Sequence, residues 1–456
     1  MSKRFVRVIS AICLIAMTAT CFVGCGKTDE EKTFPEYDTG KSFYIAGWGT
    51  PYATADDFRL AKEAGFSHFI VSETYSPSGA FTAQETLDFN KDAGMTSVMH
   101  IGNHYKSELE KPDTDYTNFE EYTDRICYSD EPVFSDYATL KQWAKEHDET
   151  YGNKFAYYVN LLSAAARTSE LGDTEKTQTY ENYVGRFCED VLGEIKTGEK
   201  ILSCDFYPIV ESRGRTAIKT QWLYTLETLM YNAKQHNAKH EEFIQVVAHT
   251  NGNDTFPIAT EEYIRYQTYV LMNFETSGFT YFTYSSPVAN YKNSCINLDK
   301  SQSLNDQYYY VKTVNAEIRA FEDIYLNYSV DGVMPVYGTE NDYDVDEETG
   351  EILGNTVMRM MKKSVKKIDG VKSVTAEEDT LVSGMTDKDG NKALLITNFS
   401  NPYDGLYNTV DLTFEKSKKY TRLAVFRKGE RKVYEIKDNK ISLELEPGEG
   451  VFAMPA

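Results

Sequence analysis

The sequence predicts an α/β fold, a (β/α)8 TIM barrel, followed by an all-β, sandwich-like domain. Three observations lead there: eight short apolar runs, helical patterns with clear ends between them, and a change of periodicity after about residue 329. The runs lie at 43–48, 68–72, 97–101, 125–128, 155–162, 201–207, 243–248 and 279–284. Eight strands alternating with helices over this length match a closed barrel of about 250 residues. An open doubly wound sheet usually has fewer strands and often a Gly-rich phosphate loop, and no G-x-G-x-x-G occurs.

The chain begins with a segment outside the fold. Lys3, Arg4 and Arg7 precede an apolar run from Val8 to Val23, the tripartite form of a secretory leader over 1–24. The run ends in Phe22-Val23-Gly24-Cys25, which resembles the lipobox of bacterial lipoproteins. That resemblance implies lipidation of Cys25 and a chain tethered in the bacterial cell envelope, outside the cytoplasmic membrane. Residues 25–40 are polar and read as a linker between lipid and domain. No later stretch reaches the roughly 18 apolar residues that span a bilayer, so membrane contact is expected through the anchor only.

The barrel is expected over 41–328. Thr54 and Gly65 bracket its first helix, and Thr82-Ala83-Gln84-Glu85 is a capping box for the second, which Gly94 stops. The joints Ala64-Gly65-Phe66-Ser67, Ala93-Gly94-Met95-Thr96 and Ser277-Gly278-Phe279-Thr280 repeat one pattern of helix, glycine cap and strand. Longer helices are expected at 177–196, 216–237, 261–276 and 306–325.

Over 329–456 short alternating runs take over, at 393–399, 409–414, 420–427, 432–436 and 441–445, giving the β-sandwich-like domain. The acidic stretch 342–348 lacks the glycine and glutamate of a calcium loop and reads as an acidic hairpin around Thr349-Gly350. Beyond the leader, Cys127, Cys188, Cys204 and Cys295 are scattered without metal-type spacing and read as buried thiols.

Composition narrows the function classes. With 456 residues, 41% hydrophobic and 26% charged, the chain is neither a disordered tail nor a small disulfide scaffold. Its net charge of −22, from 48 basic and 70 acidic residues, offers phosphate backbones no attraction, so no nucleic-acid partner is expected. The 34 tyrosines suit sugar surfaces, although many must be core.

In such a barrel function sits at the C-terminal ends of the strands. Those ends carry Trp48; Glu73 and Tyr75; His100, Asn103 and His104; Asp130-Glu131-Pro132; Asn160; Asp205-Phe206-Tyr207-Pro208; His249 and Asn251; and Tyr281, Tyr284 and Ser285. Acids, aromatics and amides around one bowl are what hydrolysis of a glycosidic bond requires. One carboxyl protonates the leaving oxygen, a second group meets the positive character of the sugar ring, and rings and amides hold the rest. Glu131 is the first choice for the acid, with Asp130 or Asp205 as its partner. Trp48, Glu73, His100, His104, Asn160, Tyr207, His249 and Tyr284 are the candidate carbohydrate contacts. The spacing of His100 and His104 on a strand-to-loop segment does not place them on one helical face, so neither a metal nor a cofactor is expected.

An acid closing the fourth strand, the eighth-strand unit Gly278-Phe279-Thr280-Tyr281-Phe282-Thr283-Tyr284 and a terminal β-domain resemble the family 42 β-galactosidase-like hydrolases. Those relatives place a nucleophilic glutamate at the seventh strand, and 243–250 has none. The adjacent Asp130-Glu131 is similar to the hexosaminidases of families 20 and 123, where the substrate's acetamido group attacks, Asp orients it and Glu supplies the proton. The expectation is therefore a cell-surface glycoside hydrolase acting through carboxylates, either with Asp205 or substrate-assisted on a 2-acetamido sugar. A non-catalytic, lipid-anchored carbohydrate-binding protein on a degenerate barrel is the alternative.

Overall fold

Eight parallel strands close on themselves in a computed structural model of the chain. It describes residues 34–37, 40–51, 54–71, 83–100, 119–172, 179–212, 214–286, 291–296, 303–343 and 354–456. The leader, Cys25, Glu73, His104 and most of the acidic hairpin lie outside these residues. The first six barrel strands are β1 (Tyr44–Trp48), β2 (His68–Val71), β3 (Thr96–His100), β4 (Thr123–Asp130), β5 (Ala156–Leu161) and β6 (Lys200–Cys204). A hairpin, β7 (Ile209–Ser212) and β8 (Arg215–Ile218), precedes the seventh barrel strand β9 (Lys239–Gln245). Two short strands, β10 (His249–Asn251) and β11 (Asp254–Phe256), precede the eighth barrel strand β12 (Gly278–Phe282), which pairs with β1 to close the ring.

Local chemistry explains the punctuation. The Thr54 side chain accepts from the Asp57 amide at the start of the helix Ala55–Glu63, and Thr260 does the same for Tyr263 before Glu261–Asn273. Gly65 (φ +89°) and Gly94 (φ +72°) take the left-handed conformation that lets the chain leave a helix and re-enter the barrel.

Three differences from expectation have physical causes. Residues 216–218 are strand rather than helix, because 209–218 folds back as the β7–β8 hairpin, and the helix begins only at Trp222. The hairpin joins β10 and β11 in a four-stranded sheet carried by the loops after β6 and β9. The helix expected over 177–196 starts at Tyr180 and widens into a π turn at Phe187–Val191. A helix absent from the sequence reading, Tyr137–Tyr151, links β4 and β5; it buries Tyr137, Leu140, Ala144 and His147 at helical spacing within a mostly polar segment.

Inside the ring, Tyr44, Ala46, Trp48, Val98, Cys127, Tyr158 and Phe243 fill the barrel. Near its floor the Arg125 guanidinium donates to both oxygens of Glu241 at 2.9 Å and covers the Tyr44 ring at 3.8 Å. A charge pair so deep is held only because each partner satisfies the other.

The remaining strands are β13 (Tyr328–Val336), β14 (Val371–Ala376), β15 (Thr380–Asp387), β16 (Lys392–Asn398), β17 (Asn408–Phe414), β18 (Arg422–Arg427), β19 (Glu430–Glu435), β20 (Lys440–Leu445) and β21 (Gly450–Pro455). They form a six-stranded antiparallel sheet, β13-β15-β16-β21-β18-β19, facing a three-stranded one, β14-β17-β20. Val382, Leu394 and Ile396 meet Val410, Leu412 and Leu443 between them, as in a sandwich. The outer face of the larger sheet packs on barrel helices, with Phe452 stacked on Phe321 at 5.7 Å and Ser383 donating to the Asn273 side chain at 2.6 Å. One end of this sheet lies beside the barrel floor. The opposite end reaches the mouth, where the Asn401 amide donates to the Thr216 hydroxyl at 2.9 Å.

Candidate active site

The site is built by two departures from regular strand geometry. Cys127 faces the barrel interior, so strict alternation along β4 would point Asp130 outward. A bulge between Cys127 and Ser129 adds one residue, and Asp130 comes opposite Asn160 of β5 with its side chain inward. The next residue, Glu131, takes φ +50°, unusual for a side chain this large, while its amide donates to the Asn160 carbonyl at 2.8 Å. The chain thus turns back, and both acids enter the same recess. Asp205 follows β6, on the other side of β5, and meets them there.

Asn160 ties the acids together. Its Nδ2 donates to Asp130 Oδ1 at 2.9 Å and to Asp205 Oδ1 at 3.0 Å, while its Oδ1 accepts from Ser203 Oγ at 3.1 Å. Ser203 is in turn within 3.3 Å of the Tyr158 hydroxyl. Because Ser203 donates to Oδ1, the amide is oriented with its two hydrogens toward the two carboxyls. The Glu131 and Asp205 carboxyls come close enough to influence each other, and both cannot readily be charged at once.

Loss of hydration raises all three acids above the usual carboxylate range, although Asp130 and Glu131 still reach the surface. For Asp205, the deepest, the charges of Glu131 and Asp130 add to burial and push it well above, against the Asn160 hydrogen bond. Glu131 is raised by burial and by the Asp130 charge, and the hydrogen bond from Asp205 opposes this. Asp130 is raised by burial, opposed by Asn160 and by the charge of His100. Asp205 is the acid pushed furthest toward its protonated form, and the three titrate together.

Aromatic rings line one side of the recess. Tyr207 stacks on Phe282 at 5.1 Å and meets His249 edge-on at 5.6 Å, and Tyr291 stands against both His249 and Phe282. Burial raises the Tyr207 hydroxyl, reinforced by the three acids, so it stays a hydrogen-bond donor. His249 stacks on Phe256 at 4.4 Å; its Nδ1 hydrogen goes to the Val247 carbonyl and burial holds it neutral. His100 stands at the end of β3, edge to face with Trp48 at 5.5 Å.

Several expected contacts have other duties. Tyr284 is wholly buried between strands and helices, edge-on to Phe66 and Phe69, because the eighth strand aims Phe282 inward and Tyr281 and Tyr284 outward. Trp48 is 4% exposed and packs on Phe243, which makes it a floor of the recess rather than an open platform. Asn160, 1% exposed, has its amide hydrogens directed to Asp130 and Asp205 and its amide oxygen to Ser203. At the end of β9, Gln245 is buried, with its amide oxygen accepting from Tyr263 and its amide nitrogen donating to the Val247 and Pro257 carbonyls. Ser203, Phe256, Phe282 and Tyr291 escaped the sequence reading. The inward alternation Thr280, Phe282 was the available signal for Phe282.

No protein-family model and no curated protein matches this sequence. Among solved structures, the chain is similar to a family 27 β-L-arabinopyranosidase from Geobacillus stearothermophilus, at 10% identity, TM-score 0.43, covering 91% of this chain and 97% of that one. It is similar to an α-galactosidase from Saccharomyces cerevisiae, at 9% identity, TM-score 0.46, covering 91% and 98%. A putative α-L-fucosidase from Bacteroides thetaiotaomicron is similar at 11% identity, TM-score 0.37, covering 58% and 94%.

Proposed function

We propose that the protein is a glycoside hydrolase that works with retention, with Glu131 as nucleophile and Asp205 as proton donor. The observation that supports this reading is that Glu131 and Asp205, after the strands that flank β5, bring their carboxyls within reach of each other. Retaining pairs stand about 5 Å apart, whereas inverting pairs leave about 6.5–9.5 Å for a water between them. A pair this close leaves no such room.

In the first step Asp205 gives its proton to the glycosidic oxygen as that bond breaks, and Glu131 forms a bond to the anomeric carbon. In the second, Asp205, now a carboxylate, takes a proton from water as the water displaces Glu131. This reverses the acid role expected for Glu131 from the sequence, and its support is that burial and two neighbouring charges raise Asp205 furthest. Asp130 faces the same recess through its second oxygen and adds negative charge opposite the ring cation. Tyr207 and its neighbours offer a flat wall to the sugar's C–H face.

A second reading, substrate assistance on a 2-acetamido sugar, draws on the turn that brings Asp130 and Glu131 into one recess. Aryl glycosides with and without the 2-acetamido group separate the two. A strict requirement for that group favours assistance; turnover without it favours the Glu131–Asp205 pair. Glu131→Gln is expected to lower kcat by about 10³-fold or more while glycan binding persists. If wild type and variant bind glycan equally and neither turns it over, the protein is a binding module.

We also propose that the chain is exported and lipidated at Cys25, supported by the basic, apolar and Gly24-Cys25 sequence of the leader. Mass spectrometry of the N-terminal peptide tests this: a diacylglyceryl adduct on Cys25 is expected, and a free thiol or an intact leader contradicts it.

A further inference from the structure

We infer that the open edge of the sandwich, between β13 and β14, is a second binding site that takes an acidic glycan, a sugar polymer carrying carboxylates or sulfates. The site shares no residue with the recess. Its choice of a sugar polymer among polyanions rests on the hydrolase reading.

Sheet order leaves this edge open. β13 ends the six-stranded sheet and β14 ends the three-stranded one, and along that side Met334, Val336, Val365 and Val374 of the sandwich core are only partly buried. The segment 364–368 lies along the edge in place of a further strand. It fits closely: Val365 and Ile368 seat on Gly332 of β13 and Gly384 of β15, where an added Cβ would stand 2.5 and 2.6 Å from them. The Val365 amide donates to the Val333 carbonyl at 2.9 Å. Lys366 and Lys367, between the two seated side chains, are exposed. Beside this segment opens a groove of about 500 Å³, lined by Val336, Val365 and Val374 and by Tyr337, Lys366 and Lys372. The Tyr337 ring is 40% exposed.

The charge here is opposite to that of the chain. Against a net −22, residues 359–372 hold six cations, Arg359, Lys362, Lys363, Lys366, Lys367 and Lys372, and one acid, Asp369. In so acidic a chain a cation readily finds a carboxylate. Lys362 meets Glu181 at 2.5 Å, Lys367 meets Glu415 at 2.8 Å, and Lys392 and Lys418 share Asp369. Lys366 and Lys372 are exposed and form no ion pair among the described residues, and the same holds for Arg359, whose charge acts on the Tyr337 hydroxyl. The unpaired positive charge thus gathers at one groove.

An open ring beside free ammonium groups suits a sugar acid: the ring packs on the C–H face and the ammonium groups meet the anions. The cations line a concavity, which admits a single chain and not a bilayer surface. They are too few, with so negative a chain behind them, to hold a nucleic-acid backbone. A polymer held here is kept at high local concentration for the recess.

The test runs the full chain in native gels containing polygalacturonate, dextran sulfate or neutral dextran, each compared with a polymer-free gel. Retardation by an acidic polymer and none by dextran is expected, weakening with added salt. Polygalacturonate alone assigns carboxylates, dextran sulfate alone assigns sulfates, and both together assign the charge they share. Lys366→Glu with Lys372→Glu should weaken the binding by on the order of tenfold with Tm little changed, and Tyr337→Ala should weaken it by about threefold. No retardation by either acidic polymer, retardation that survives the double lysine change, or tighter binding of phosphatidylglycerol vesicles than of either polymer through the same lysines overturns the inference. Binding is read without turnover, so a chain that binds through these lysines and hydrolyses no glycoside loses the hydrolase reading alone. One that hydrolyses glycosides and binds no acidic polymer loses this inference alone.

Discussion

Glu131 holds a left-handed backbone that a side chain adopts at a cost on the order of 1 kcal/mol or more, and it places a carboxyl beside two others. Both features oppose stability, as expected where geometry serves chemistry. Glu131→Gly should therefore raise Tm by a few degrees while abolishing turnover, measured by calorimetry and by hydrolysis of an aryl glycoside. Asp205 gives the pH dependence. Its folded-state pKa lies above the unfolded one, so its contribution to stability is complete below the ordinary carboxylate value near 4 and is lost as pH rises through the raised value. Asp205→Asn should melt higher than wild type at neutral pH, with the gap closing toward pH 4. Asn160 acts one step back, by donating to Asp130 and Asp205 and favouring their charged forms. Asn160→Leu should move the basic limb of the kcat/KM profile, set by the proton donor Asp205, up by about one unit, with kcat reduced and KM little changed. An unmoved limb would show that the bridge has no electrostatic role.

Elements explain why some of this site was legible and some was not. Asp130, Glu131 and Asp205 stand out because strand ends in a predicted barrel are few and acidic residues there are conspicuous. The bulge in β4 and the turn at Glu131 left no mark in the residue pattern, since Tyr128-Ser129 is an ordinary strand pair in composition. Tyr284 was misplaced for the opposite reason: near the end of β12 an aromatic is equally at home facing the bowl or the helices, and only the register with β1 decides. The β7–β8 hairpin was hidden by Thr216 and the helix behind it, which share a polar-apolar pattern. Lower in the barrel, Arg125→Met leaves Glu241 charged and buried and should cost about 3–5 kcal/mol in chemical denaturation; pairing it with Glu241→Met should recover most of that loss.

At the scale of the whole molecule, barrel and sandwich share a core that includes Tyr269, Phe321 and Phe452, with Asn273 bonded to Thr397 and Ser383 inside it. The alternation of runs and caps foretold both domains, but not this contact, because apolar residues on the outer face of a sheet read the same whether they meet a helix or a second sheet. The contact brings a sandwich loop to the rim of the mouth through Asn401 and Tyr403. All of this serves one arrangement, a carboxyl pair shared between β4 and β6. The most direct measurement of it is peptide mapping after reaction with activated 2-deoxy-2-fluoro glycosides, which trap a glycosyl-enzyme. A glycosyl ester on Glu131 is the expected result. An ester on Asp205, or turnover with inversion and no covalent adduct, would contradict the account.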